Sequence, residues 1–339
     1  MKILTLALAL VWGATGFGAE EPVSRIAFGS CYKPQKQTEI WEEVEKFKPQ
    51  LWIWLGDNFY NDWAEGKYLK SNDDADCFTK NYKLLEESEA VKSLKRIDPK
   101  IMATWDDHDY GKNDAGKEYD RKEESRKAFV KFFGNPDQPD GVYSSQDFGP
   151  AGKCIRVICL DTRFNRDPLP RKGEGASMGD ILGETQWGWL EKELLKPGAD
   201  LTVVGSSIQL VADQHRFEKW ANFPKARERF LTLLERTKAH GVIVLSGDRH
   251  WAEISRLEKT PAGFPLYDVT SSGLTEQTSL MKEENRSRVG AVFVGHNFGS
   301  IRIDWLKEDP WVTLEIHGEN GQNGPTAEFP LSQLAPPKR

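Results

Sequence analysis

The chain has 339 residues, 38% of them hydrophobic, and a formal net charge of −6. That length can bury a large core as one big domain or two smaller ones, and the mild acidity is spread along the chain. This excludes the basic footprint that specific nucleic-acid binding requires. Twelve tryptophans are unusually many and are expected mainly in the core.

Lys2, an apolar run over residues 3–12 and the small residues Gly16, Gly18 and Ala19 follow the order of a secretory signal peptide over residues 1–19. The run is too short to span a bilayer, and no later run is longer. The expectation is an exported protein, periplasmic or extracellular, without a transmembrane segment, monomeric, with residues 22–335 as one catalytic domain. Export often brings disulfides. Of Cys31, Cys77, Cys154 and Cys159, the last two sit at an odd separation on one strand, so their side chains point to opposite faces. A pairing of Cys77 with one of them stays open.

In chain order, residues 26–31 read as a short strand running into Cys31. Thr38 caps a helix through about residue 48, with Ile40, Val44 and Phe47 on one stripe and Pro49 as its stop. Residues 51–62, Leu-Trp-Ile-Trp-Leu-Gly-Asp-Asn-Phe-Tyr-Asn-Asp, begin as a buried strand, turn at Gly56, and end in oxygen ligands. One helix is expected over residues 77–94. A strand at 101–105 then runs into the polar loop 106–114, which includes Asp107, His108, Asp109, Asn113 and Asp114. A helix at 125–133 closes at Gly134. A strand at 154–160 ends in Asp161-Thr162-Arg163, and a long glycine-rich loop, read as a lid, covers 165–183. Helices at 185–195 and 224–239 flank a strand at 201–204. A further strand, 242–245, ends in Ser246-Gly247-Asp248-Arg249-His250. The tail holds strands near 267–270, 300–305 and 312–316. Strands alternating with helices, then a strand-rich end, predict an α/β layered domain with a mixed sheet or two packed sheets.

At least four strand ends carry ligand-type residues: Cys31; Asp57 with Tyr60; Asp107 with His108; and Asp248 with His250. Taken singly, each has a bland reading as a buried thiol, a half-buried aromatic or a solvated turn acid. Together they combine hard oxygen donors, suited to Ca²⁺, Mg²⁺ or Mn²⁺, with thiolate and imidazole, which favour a transition metal. Two unlike metals sharing a carboxylate fit that mixture, and two metals about 4 Å apart clamp the attacking and leaving oxygens of a phosphoryl transfer.

Gly-Ser-Cys at 29–31, Leu-Gly-Asp-Asn-Phe-Tyr at 55–60, Thr-Trp-Asp-Asp-His-Asp-Tyr-Gly at 104–111 and Ser-Gly-Asp-Arg-His-Trp at 246–251 resemble, in order, the motifs of PhoD-like alkaline phosphatases. These belong to the wider metallophosphoesterases. Segments 160–163, 182–187 and 205–209 add to the likeness, which runs from about residue 26 to 251. The resemblance implies a metallophosphoesterase-like α/β/β/α sandwich of two packed mixed sheets flanked by helices. It also implies a site of one Fe³⁺ with one or two Ca²⁺. On that pattern Asp57 bridges the metals, Cys31, Tyr60 and His250 stand on the iron side, and Asp107 and Asp248 bind the second metal. Asn113 and Asp114 are further candidates for calcium or substrate contact. His108 is the implied proton donor to the leaving group, oriented by Asp109. Arg163 and Arg249 are candidates to balance phosphoryl charge, Arg249 with a structural role as its alternative. The implied substrate is a small phosphate ester, a phospholipid or nucleotide among the candidates, cleaved as monoester or diester.

Two departures stand out. Gly-Ser-Cys replaces the Asp-x-His start of the wider superfamily, and a middle-strand histidine is missing where Ser206, Ser207 and Gln209 stand. Two other readings compete: a Cys31 nucleophile with His108 as base, and a calcium-dependent binding protein that kept the fold.

Overall fold

The computed structural model describes residues 21–64, 66–70, 72–170, 174–278 and 283–336. The expected signal peptide lies outside these residues. Its first half runs β1 (Arg25–Gly29), α1 (Ile40–Phe47), β2 (Leu51–Leu55), a small hairpin β3 (Trp63–Ala64) and β4 (Lys67–Tyr68), α2 (Cys77–Glu86), α3 (Glu89–Ile97), β5 (Lys100–Thr104), α4 (Asp107–Tyr110) and α5 (Lys122–Phe133). Then come β6 (Ser144–Phe148), β7 (Ile155–Cys159), α6 (Gly183–Leu195), β8 (Leu201–Gly205), α7 (Pro224–Thr237) and β9 (Val242–Ser246). The chain ends in β10 (Ala252–Leu257), β11 (Leu266–Ser271), β12 (Arg288–Phe293), β13 (Asn297–Asp304), β14 (Trp311–Gly318) and β15 (Asn323–Pro330).

Two large mixed sheets result, in the orders β15-β14-β13-β1-β2-β5 and β12-β10-β11-β9-β8-β7-β6. Strands β1, β2 and β5 run parallel, as do β7, β8, β9 and β11. Alternation along each central strand decides what it buries. Ile26, Phe28, Leu51, Ile53 and Leu55 face Val157, Val203, Ile243, Leu245 and Val269 in the inter-sheet core. Ala27, Trp52 and Trp54 instead pack against Trp41, Val44, Leu94 and Phe129 of the helices outside the first sheet. Ile158, Val204, Val242 and Val244 do the same against Trp187, Leu190 and Phe230 outside the second. With both faces covered, β2 is buried along its whole length, which is why it reads as an unbroken apolar run. The layers are helix, sheet, sheet, helix, the predicted sandwich.

The single helix expected over 77–94 is two helices. Ser88 takes an extended ψ of 164° and its Oγ accepts from Val91 N at 3.4 Å, starting α3 as an N-cap. Thr38 stands two residues before α1, with Glu39 at the N-cap, and its Oγ1 accepts from Ile40 N at 3.2 Å. All four cysteines are buried and none is disulfide-bonded. Among the described residues no helix is long and apolar enough to cross a membrane.

On β14, one strand in from the edge of the first sheet, the His317 ring stacks on Phe298 at 4.6 Å. Burial, then the nearby Arg302 charge, depresses its pKa to about 4. The folded protein therefore holds His317 neutral while the unfolded chain protonates it near pH 6.5. The stability present above pH 6.5 drains away as pH falls toward 4, by about 1–3 kcal/mol. Chemical denaturation of His317→Gln is expected to show a flatter stability profile across that window than the parent.

Candidate metal centre

The carboxyl ends of the parallel strands of both sheets converge on one place, the position where open α/β sheets gather ligands. Beyond β1 comes Cys31, beyond β2 Asp57, beyond β5 Asp107 and His108, beyond β9 Asp248 and His250, and beyond β11 Ser272. The turns are tight. Cys31, Asp57, Asp114, Asp248 and His250 all adopt positive φ, between 50° and 67°, a strained region that non-glycine residues hold when the surroundings over-determine them. Gly56, at φ 97°, lets β2 turn: a Cβ there would collide with the Asp106 backbone. At Gly247 a Cβ would strike the Ser30 side chain, so the β1 and β9 ends meet only because this residue has none.

Ligand atoms of Cys31, Asp57 and His250 lie within 4.8 Å of one another, and so do those of Asp57, Asp107 and His108. Asp57 belongs to both groups. Its Oδ2 accepts from Cys31 Sγ at 3.3 Å and its Oδ1 from His108 N at 3.2 Å. Tyr60 Oη stands 3.2 Å from His250 Nε2. A third group joins Asp107, Asp114 and Glu218. Asp107, Asp114, Glu218, Asp248, Arg249 and His250 line one cleft of about 440 Å³, with His108 and Asn113 on the same wall.

The electrostatics of this cluster call for a cation. Burial, with Cys31 and Asp107 beside it, holds the Asp57 carboxyl well above the ordinary range. Burial and neighbouring acids do the same to Asp248, and burial pushes the Cys31 thiol up to about 12. Burial depresses His250 to about 4, leaving it a neutral donor. Asp107 Oδ1 is buried with no hydrogen-bond partner. Anionic donors crowded out of water, one with an orphaned oxygen, are stable when metals neutralise them. The residues present therefore fit a metal centre in which the Cys31 thiol, the Tyr60 phenol and the His250 imidazole gather on one side of Asp57, and the Asp107 carboxylate with the His108 ring on the other.

The structure differs from expectation at two residues. Asp109 does not orient His108. It is fully buried and accepts from Asp106 N at 2.7 Å, Asp57 N at 3.1 Å, Asn58 N at 3.2 Å and Asn58 Nδ2 at 2.6 Å, stitching the β2 and β5 turns together. The partner of His108 is Asp62, with Oδ1 2.7 Å from Nδ1. Asp62 Oδ2 also accepts from Asn113 N at 2.9 Å. Arg163 likewise lies away from the cleft. It is fully buried, Nε donates to Asp106 Oδ1 at 2.6 Å, and Nη1 donates to Glu218 Oε2 at 2.5 Å. Its donors are committed to joining the ends of the two sheets. Arg249 lines the cleft instead, with Nη2 on Glu283 at 2.5 Å and Nε buried without a partner.

Sequence reasoning missed Glu218 and Ser272, and left Asp62 without a role. Ser272 Oγ stands 3.1 Å from Cys31 Sγ and accepts from His250 N at 2.7 Å. It follows β11 in a Ser-Ser-Gly turn like the small-residue turns after β8 and β9, which is a usable signal. Glu218 lies in an irregular segment with no local pattern. Around the missing middle-strand histidine, Ser206 Oγ accepts from Trp220 Nε1 at 2.9 Å, and Gln209 Nε2 donates to Glu253 at 2.8 Å. These hydrogen bonds hold loops together. Of the long loop at 165–183, Leu169 and Pro170 form part of the cleft wall.

The chain is similar to known proteins in family and fold. Residues 26–304 match the model of the PhoD-like phosphatases. Alkaline phosphatase D of Bacillus subtilis (strain 168) is 25% identical over 310 residues, covering 76% of this chain and 52% of the relative. The chain thus spans about half the length of the curated relative it matches. A solved structure of PhoD superposes with a TM-score of 0.71 at 18% identity, covering 94% of this chain and 72% of that one. A purple acid phosphatase from yellow lupin seeds gives 0.59 at 13% identity, over 92% of this chain and 54% of that one. GAP50, the anchor in the inner membrane complex of Plasmodium, gives 0.61 at 14% identity, over 92% and 90%. At such identities the last three speak for the fold alone.

Proposed function

This chain belongs to the PhoD-like phosphatase family, and from that premise we propose that it is a metal-dependent phosphoric ester hydrolase. It acts on small phosphate monoesters, diesters or both, at a centre of one Fe³⁺ with one or two Ca²⁺. The observation that carries the reading is the membership of Asp57 in both ligand groups, the place a bridging carboxylate must occupy. Cys31, Tyr60 and His250 would hold the iron, Asp107 and Asp248 the calcium, and Asp57 would serve both, with Asp114 and Glu218 beside Asp107 for a further calcium. Anionic sulfur and oxygen donors favour Fe³⁺, and carboxylates favour Ca²⁺. When bound, such metals polarise the phosphoryl oxygens and make water a nucleophile at neutral pH.

The protein's own groups supply the rest. His108 donates a proton from Nε2 to the leaving oxygen while Asp62 fixes Nδ1; beside it, burial opposes the imidazolium but Asp107 and Asp62 favour it. Asn113, through its backbone N–H, holds Asp62 in turn. Asp109 fixes the two turns that carry Asp57 and His108. Arg249 faces the substrate phosphate across the cleft. A Cys31 nucleophile fits poorly: its thiol is buried, burial keeps it protonated, and the His108 ring is engaged by Asp62.

The reading includes export, supported by the charged and then apolar order of residues 1–19. It also takes residues 22–335 as one domain, supported by an inter-sheet core that draws on residues from Val23 to Leu334. A panel of monoester and diester substrates, assayed with and without added Ca²⁺ and Fe³⁺, tests the proposal. Hydrolysis of at least one class is expected, and no turnover under any metal would favour a calcium-dependent binding protein instead. Within that panel, Asp62→Asn is expected to lower kcat by about 10²-fold with KM little changed. Steady-state kinetics check this; an unchanged kcat would remove Asp62 from the mechanism.

A further inference from the structure

Lys33 is buried, with 3% of its surface exposed. Its Nζ lies 4.4 Å from the centroid of the Tyr60 ring, 4.6 Å from that of Trp63 and 4.9 Å from that of Tyr68. Trp63 and Tyr68 come from the paired strands β3 and β4, so the small hairpin closes an aromatic box around the ammonium. Among the described residues, one carboxylate faces that charge. Glu276 Oε2 is 2.9 Å from Lys33 Nζ, and its Oε1 is 2.5 Å from the half-exposed Lys36. The backbone is pinned as well. Lys33 N donates to Thr275 Oγ1 at 2.7 Å, and Thr275 N to Cys31 O at 3.1 Å. A desolvated ammonium is costly, and three π faces with a shared carboxylate offset that cost. The expense falls beside Tyr60, whose hydroxyl points at His250 Nε2.

We propose that Lys33 is a positioning residue that sets the donor strength of Tyr60 toward a bound ferric ion. The inference rests on the iron reading above. A cation over the ring lowers the filled phenolate orbital more than an acceptor lying beyond the phenol oxygen, because the ring is nearer. Lys33 therefore widens the gap between phenolate and iron, moderates donation, and offsets the crowding of anions around Asp57. Glu276 works against it by neutralising part of the ammonium charge.

The test is the visible spectrum of the purified, iron-containing full chain, with iron content measured in every sample. Relative to the parent, Lys33→Met is expected to move the tyrosinate-to-iron band to longer wavelength, and Lys33→Arg to keep it near its original position. Glu276→Gln keeps the ammonium and removes its counter-ion, so the band moves to shorter wavelength. A general loosening of the site would not give shifts of opposite sign. This second variant also decides the matter if Lys33→Met fails to fold. A parent band that neither Lys33→Met nor Glu276→Gln displaces, at unchanged iron content, overturns the inference alone. A parent protein that is fully active without iron and without the band overturns the iron reading and the inference with it.

Discussion

Replacing Asp57 with Asn is expected to lower kcat/KM by about a thousand-fold or more, a loss of about 4 kcal/mol of transition-state stabilisation. The substitution keeps the shape of the side chain, and the new amide oxygen still accepts from His108 N. What it removes is the negative charge common to both ligand groups. In the metal-free protein that charge is a liability, since burial and the adjacent Cys31 and Asp107 all oppose it. Metal-free Asp57→Asn should therefore be as stable as the metal-free parent, or more so, while its metal content and activity collapse together. Elemental analysis, denaturant titration and kinetics on one preparation separate these effects. A variant that binds metals at parent stoichiometry yet loses activity would make Asp57 something other than a bridge.

Arg163→Met is expected to act on stability. Arg163 is wholly buried and joins Asp106, at the end of β5, to Glu218 in the segment after β8. Glu218 keeps Arg166, whose Nε is 2.8 Å away, but Asp106 loses its cation. Breaking a buried pair from one side costs about 3–5 kcal/mol, and urea titration should read that loss directly. Burial already pushes Asp106 to about 7 against the pull of Arg163, so protonation of Asp106 is the route by which the variant relaxes. Molecules that remain folded should retain catalysis within about tenfold of the parent. A variant of parent stability with kcat reduced a thousand-fold would put Arg163 back against the substrate.

The contrast between Arg163 and Asp57 shows how far the sequence reaches. Both follow apolar strands, and strand-end position alone nominates both. Gly56 before Asp57 signals a turn that re-aims the chain. No such signal precedes Arg163, and whether a residue beyond a strand enters the cleft or the space between the sheets is set by packing with distant segments. Glu218, which captures Arg163, is 55 residues away along the chain. Asp62 was legible as an acid near the site but not as the partner of His108, because the pairing spans 46 residues. Asp109 was the partner of His108 that the family resemblance implied. In the fold its carboxylate turns back to four donors of the β2 and β5 turns.

The α/β class was legible because short unbroken apolar runs, the mark of strands buried on both faces, alternate with amphipathic helices; the choice of two packed sheets over one came from the family resemblance. Leu51–Leu55 carries its inter-sheet and helix-facing residues in strict alternation. The break at Ser88 was also written locally, as a serine three residues before the Val91 amide it caps. A continuous charged helix over 77–94 satisfied the same periodicity, so the cap decided the outcome. Strands β3, β4, β6, β10, β12 and β15 were not expected. Polar or glycine-interrupted runs such as Ser144–Phe148 and Asn323–Pro330 become strands by pairing with neighbours already in place.

Hydrolysis of a phosphate ester by the purified protein, before and after exhaustive chelation and then after restoring Fe³⁺ and Ca²⁺, tests the central claim most directly. Activity is expected to fall to background with the metals and to return with them, in the parent but not in Asp57→Asn. Full activity in a sample shown by elemental analysis to hold no metal would contradict it.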